Sequence, residues 1–102
     1  MSGIAYTVTA TFPDERTASE YVEWLLGGHI DQVVAGGAES GMVVRVEDPP
    51  SPIRVEARYI FPSRAAYAGY IEHHAPALRA EGLRRFGSDP RVSFERRTGQ
   101  VL

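Results

Sequence analysis

From Ile4 to Phe12 the residues alternate, with Ile4, Tyr6, Val8, Ala10 and Phe12 on one face and Ala5, Thr7, Thr9 and Thr11 on the other. A period of two is that of an extended strand with one buried face. Pro13 and Asp14 end it, and Thr17 followed three residues later by Glu20 reads as a capping box opening a helix. That helix carries Tyr21, Val22, Trp24, Leu25 and Leu26. Gly27 and Gly28 interrupt it, and a short second piece from His29 to Ala35 follows before Gly36 and Gly37 stop it. A second strand is expected from Glu39 to Glu47. Asp48-Pro49-Pro50-Ser51-Pro52 cannot supply a regular ladder of backbone donors, which makes it the loop of a hairpin.

The third strand, Ile53 to Phe61, points Ile53, Val55, Ala57, Tyr59 and Phe61 inward and Arg54, Glu56 and Arg58 outward. Ser63 is placed to cap a long helix in which Tyr67, Tyr70, Ile71, His74 and Leu78 fall three or four apart on one stripe. Pro76 should bend that helix after about three turns, Gly82 should loosen it further, and Gly87 is the expected stop. Arg91 to Val101 alternates again as a fourth strand. The order β-α-β-β-α-β is that of an α+β protein with the split ferredoxin-like unit, two helices on one face of a four-stranded antiparallel sheet. The uncovered face would carry Thr7, Thr9, Val43, Arg45, Glu47, Arg54, Glu56, Arg58, Ser93, Glu95 and Arg97. Opposite charges on neighbouring strands there pair for roughly 0.2–1 kcal/mol each. Such a face is either solvated or meets its twin across a two-fold axis, and the pattern leaves both readings open.

Composition narrows the chemistry. A chain of 102 residues, 43% apolar and 24% charged, is expected to form a single domain over residues 1–102 with one core. No apolar run is long enough for a membrane span. The start MSGIAYTVTA lacks a basic segment followed by an apolar one, so it reads as mature protein and the cytoplasm is the expected compartment. With a net charge of −2 and interleaved signs there is no basic field for a phosphate backbone, and no nucleic-acid partner is expected. The absence of cysteine removes disulfides, thiolate nucleophiles and iron–sulfur ligation. All 11 basic residues are arginine, which removes Schiff-base and lysine general-base mechanisms. No Gly-x-Ser-x-Gly elbow, phosphate loop or dinucleotide fingerprint is present, so neither covalent catalysis nor a nucleotide cofactor is expected.

Three histidines remain as candidates. His29 follows the Gly27-Gly28 break, at a helix end where the backbone changes direction. It is read either as a general base or hydrogen-bond donor to a small ligand, or as a residue capping a helix end. His74 sits on the apolar stripe between Ile71 and Leu78, where a core histidine with a satisfied hydrogen bond competes with a ligand-positioning role. His73 points about 100° away toward solvent. Adjacent helical histidines do not chelate, because helical ligand pairs need spacing of three or four, and no metal site is expected. Tyr6, Tyr59, Tyr67, Tyr70 and Trp24 fall on inward faces, where they either line an aromatic pocket or simply fill the core of a small domain. Arg79 and Arg84 lie toward the end of the second long helix, where cations complement the helix dipole, with anion binding the alternative.

The stretches Glu23-Trp24-Leu25-Leu26-Gly27-Gly28-His29-Ile30 and His73-His74-Ala75-Pro76-Ala77-Leu78-Arg79-Ala80-Glu81-Gly82-Leu83-Arg84-Arg85-Phe86-Gly87 resemble a small bacterial family of unassigned function in the dimeric α/β-barrel superfamily. That superfamily includes antibiotic-biosynthesis-type monooxygenases, muconolactone-isomerase-like proteins and stress-responsive barrel proteins. The resemblance follows the element order over nearly the whole chain, and its most specific part is the His-Ala-Pro-Ala-Leu-Arg block. It implies a homodimer in which two sheets pair into a barrel with the helices outside. His29 matches the histidine of a Trp-x4-His-Ile pattern that is similar in position to a pocket histidine of some barrel enzymes. No activity is implied, because the fold hosts many chemistries. The sequence therefore leads to a dimeric protein binding a small apolar or aromatic molecule without a cofactor, His29 being the proton-transfer candidate and Tyr6, Trp24, Tyr59 and His74 lining the ligand. The alternative is a structural or interaction module that only dimerises.

Overall fold

The computed structural model describes residues 3–102. Strand β1 (Ile4–Phe12) is followed by helix α1 (Glu15–Trp24), a π-helical turn (Leu25–His29) and helix α2 (Ile30–Ala35). Strands β2 (Ser40–Arg45) and β3 (Ile53–Phe61) form the hairpin, helices α3 (Arg64–His73) and α4 (Ala75–Phe86) follow, and β4 (Ser93–Gln100) closes the sheet. The sheet order is β2-β3-β1-β4 with every pair antiparallel. This is the ferredoxin-like arrangement that the element order predicts.

Register decides which side chains meet. Tyr6 stands opposite Tyr59, Val8 opposite Ala57 and Ala10 opposite Val55, so the alternating residues of β1 and β3 make one apolar face beneath the helices. Phe61, Leu25, Val33 and Val55 are its largest fully buried side chains. On β4, Phe94 pairs with Ala10 and Arg96 with Val8, which puts both on that same face.

The phase of β2 differs from expectation. Val43 stands opposite Ala57 and Arg45 opposite Val55, which places both on the helix-covered face. Arg45 donates to Glu15 of α1 at 2.8 Å, while Met42, 57% exposed, lies on the open face. The run Gly41-Met42-Val43-Val44 carries no polar alternation to fix the phase, and a close approach fixes it instead. A Cβ on Gly41 would lie 2.9 Å from Ile30 and 3.0 Å from Tyr59, so only glycine lets α2 and Tyr59 close over this edge strand.

Helix boundaries follow side-chain chemistry. Asp14, and not Thr17, caps α1, its carboxylate accepting from Thr17 N at 2.8 Å. Ser63 caps α3 as expected, accepting from Ala66 N at 3.0 Å. The long helix anticipated after Ser63 is two helices: His74 leaves helical geometry with φ −120°, and Pro76 occupies the first turn of α4, where its missing N–H costs nothing. Gly82 does not loosen α4; it is buried, and a Cβ there would stand 3.3 Å from the Trp24 ring. Among the described residues no helix is long and apolar enough to cross a membrane.

Candidate functional site

The aromatic side chains of the covered face form two groups. Tyr6 touches Tyr59, Phe61, Tyr67 and Tyr70 at centroid distances of 5.4–6.4 Å. Separately, Tyr21 gathers Phe12, Trp24, Phe86 and Phe94 at 5.1–6.0 Å. A cleft separates the groups, walled by Tyr6, Tyr59 and Tyr70 on one side and by Tyr21, Trp24, His29 and Phe94 on the other. Ala57 and Val8 form part of its floor, and Leu78, Arg79, Gly82 and Leu83 of α4 form its lip. Small residues keep it open, since Ala57 and Gly82 stand where larger side chains would reach across. Its cavity volume is about 40 Å³, room for about three waters at roughly 10–15 Å³ each, and it opens to solvent beside Leu83, which is 55% exposed.

His29 is brought to this wall by the π-helical turn. Gly28 adopts φ 144°, a conformation that L side chains rarely take, and the extra residue redirects the chain so that His29 folds back over Trp24. The two rings stack at 4.1 Å and 24°. The indole Nε1 donates to Glu81 of α4 at 3.3 Å, which fixes the plate against which His29 lies. His29 Nδ1 is buried and has no hydrogen-bond partner among the described residues. Burial lowers the pKa of this imidazole, with the Glu81 charge opposing the shift. A neutral ring offers one N–H donor and one lone pair.

The remaining polar groups converge from other elements. An Arg79 terminal nitrogen donates to the Tyr6 hydroxyl at 3.2 Å, while Arg79 Nε is buried without a partner. Arg96 approaches from β4, and its charge reaches the Tyr21, Tyr67 and Tyr70 hydroxyls. Burial pushes Tyr70 up to about 12 and holds Tyr21 and Tyr59 well above the usual phenol range. These phenols therefore stay protonated at neutral pH and act as hydrogen-bonding groups, not as bases.

Four of the five residues singled out in the sequence, Tyr6, Trp24, His29 and Tyr59, line this one cleft. His74 stands apart. It is exposed at the break between α3 and α4, where its ring lies parallel to Tyr70 at 6.4 Å and against Gly36, so it is not the core histidine its stripe suggested. Arg79 is also placed differently. Because the helix restarts at Ala75, Arg79 falls in the second turn of α4, half-buried against Tyr6, and the helix-end role belongs to Arg84 and Arg85. Arg96 escaped notice, although a charged residue at an inward position of β4 is the signal that marks it. Among the described residues no three histidine or acidic side chains gather as metal ligands.

The family model of a domain of unknown function, DUF4286, matches residues 3–100. A search of the curated proteins finds no match. Solved structures share the fold at low identity. A dimeric ferredoxin-like protein from an uncultured marine organism is 16% identical, with 100% of this chain and 97% of that chain covered and a TM-score of 0.69. SnoaB, a cofactor-independent oxygenase from Streptomyces nogalater, is 12% identical over 97% of this chain and 92% of its own, with a TM-score of 0.68. A protein from Deinococcus radiodurans, proposed to be an antibiotic biosynthesis monooxygenase, is 9% identical over 97% and 92%, with a TM-score of 0.70.

Proposed function

Since the chain belongs to DUF4286, a family of domains of unknown function, we propose its role from geometry: a homodimer in which each subunit binds a small planar organic molecule in the cleft between the two aromatic groups. His29 is the proton-transfer residue of that cleft, and Tyr6, Tyr59 and Trp24 orient the ligand. The observation that carries this reading is the buried, unpartnered His29 Nδ1 in the cleft wall. Leaving a buried polar atom unsatisfied costs about 1–3 kcal/mol, and such groups concentrate where a ligand completes the hydrogen bond. A ligand with an acidic O–H or C–H would give its proton to the neutral imidazole, and Glu81 nearby favours the imidazolium so formed. The fold of SnoaB, a cofactor-independent oxygenase, is compatible with such chemistry.

The dimer is supported by the open sheet face and by the dimeric ferredoxin-like protein of the same fold. On that face Glu56, 8% exposed although no helix covers it, is held by Arg58 at 2.9 Å and Thr9 at 3.3 Å, with Arg97 at 3.7 Å. A neutralised, internally paired surface can meet its own copy without leaving a charge stranded.

A cavity of about 150 Å³ accommodates benzene, so a ring enters this cleft only as the exposed Leu83 and the arginine side chains move outward. The test titrates uniformly ¹⁵N-labelled protein with phenol and follows amide and indole shifts, with sedimentation equilibrium on the same sample. The expected result is a dimer with saturable shifts at the Trp24 indole, His29, Arg79 and Gly82. A dimer with no saturable shift would instead support the module that only dimerises, and a monomer would remove the assembly.

A further inference from the structure

We infer that the molecule taken by the cleft is an anion: a planar, unsaturated or aromatic organic acid whose negative oxygen sits between Arg79 and Arg96 while its ring lies between the two aromatic groups. This deepens the preceding reading and rests on it. Arg45, Arg58, Arg91 and Arg97 each meet a carboxylate, of Glu15, Glu56, Asp89 and Glu56 respectively. The other seven of the 11 arginines meet no carboxylate among the described residues, and of these Arg79 and Arg96 line the cleft. No aspartate or glutamate among the described residues lines it. Glu81, the residue before the lining Gly82, is engaged by the Trp24 indole, and its charge acts on His29.

The two guanidinium groups belong to different elements, Arg79 to α4 and Arg96 to β4, and their charges fall on the same hydroxyls, those of Tyr67 and Tyr70. Arg79 is half-buried, and its Nε has lost water without gaining an acceptor. A guanidinium withdrawn from solvent is costly until it is paired, and the partner its planar fork fits is a carboxylate or an enolate oxygen. With Arg79 holding the Tyr6 hydroxyl at 3.2 Å, an anion placed there would also accept from that phenol. The cleft thus combines two cations and a phenol with flat apolar rings and a neutral imidazole. An organic monoanion with a planar body matches that lining, and a neutral hydrocarbon leaves the arginines unpaired.

Benzoate and benzamide have the same ring and nearly the same size but differ in charge, and isothermal titration calorimetry of each against the intact protein isolates the anion term. Benzoate is expected to bind about ten- to a hundredfold tighter, the range of one charge-assisted hydrogen bond or two. Added salt should weaken benzoate and leave benzamide unchanged. Arg79→Gln and Arg96→Gln should each reduce the preference for benzoate, and the double variant should abolish it. Arg96 is exposed, so its variant is read even where Arg79→Gln perturbs folding. Benzamide binding as tightly as benzoate, or a preference that survives both substitutions, would overturn the inference. Phenol failing to bind would remove the cleft reading itself, whereas phenol binding together with equal affinities for benzoate and benzamide would remove only the anion.

Discussion

On the open side of the sheet one buried acid, Glu56, meets Thr9, Arg58 and Arg97; on the covered side, amid rings, His29 and Arg79 each keep a buried nitrogen with no partner. The expectation from elementary energetics runs the other way, because polar groups under a helical layer are farther from water and need partners more. The open face solves its polar problem within the chain, and the covered face leaves it unsolved at two places in the lining of one cleft. Arg54 Nε, near the hairpin end of the open face, is also buried and unpartnered, but that side chain reaches the Pro49 carbonyl at 3.3 Å and lines none of the cleft. The contrast separates a surface built for self-sufficiency from a cleft built to be completed.

The largest effect should come from removing an aromatic ring of the covered face. Phe61→Ala, at a fully buried position, is expected to cost about 3–5 kcal/mol in urea denaturation. Ile60→Ala, one residue along and facing the other way, should cost distinctly less; equal losses would break the idea that stability resides on the covered face. Next, Gly28→Ala forces an L side chain into φ 144° and should cost about 1–3 kcal/mol. It should also shift the His29 and Trp24 resonances, since the π-helical turn places one ring on the other.

Glu56→Gln keeps the shape of the open-face network but removes its charge, and a loss of about 1–2 kcal/mol is expected, together with a weaker dimer in sedimentation. Asp14→Ala should cost about 1 kcal/mol through the lost cap of α1, without effect on the cleft. The smallest effect is a pH slope. Burial lowers the folded-state pKa of His29, so the unfolded chain binds this proton more readily. Stability should be intact above the ordinary histidine pKa of about 6.5 and fall as pH drops below it. Asp14, Glu15 and Asp89, whose pKa values are lowered by hydrogen bonds, lose their contributions only at more acidic pH. His29→Phe, which keeps a ring on Trp24, should flatten the slope between neutral pH and about 5, measured by denaturation at each pH.

The fold was legible because β1 and β3 alternate strictly and Ser63, Pro76 and the proline-rich hairpin loop mark boundaries by their own chemistry. The phase of β2 was not, since Gly41-Met42-Val43-Val44 has no polar contrast and the deciding contact, Gly41 against Ile30 and Tyr59, joins residues distant in the chain. The cleft was half legible. Inward tyrosines and a histidine after two glycines pointed to it, but the gap between two ring groups depends on small residues, Ala57 and Gly82, that line it from elements distant in the chain. Arg79 was hidden by the helix break at His74, which changes its place from a helix end to a second turn.

A ligand cleft beside His29 should report itself in the emission of Trp24, the chain's one tryptophan, titrated with phenol in the unaltered protein and in Gly82→Leu, whose side chain would fill the cleft beneath the indole. The expected result is a saturable change in the unaltered protein that the filled variant, still folded by circular dichroism, loses. A change that rises linearly without saturation, or is the same in both proteins, would contradict it.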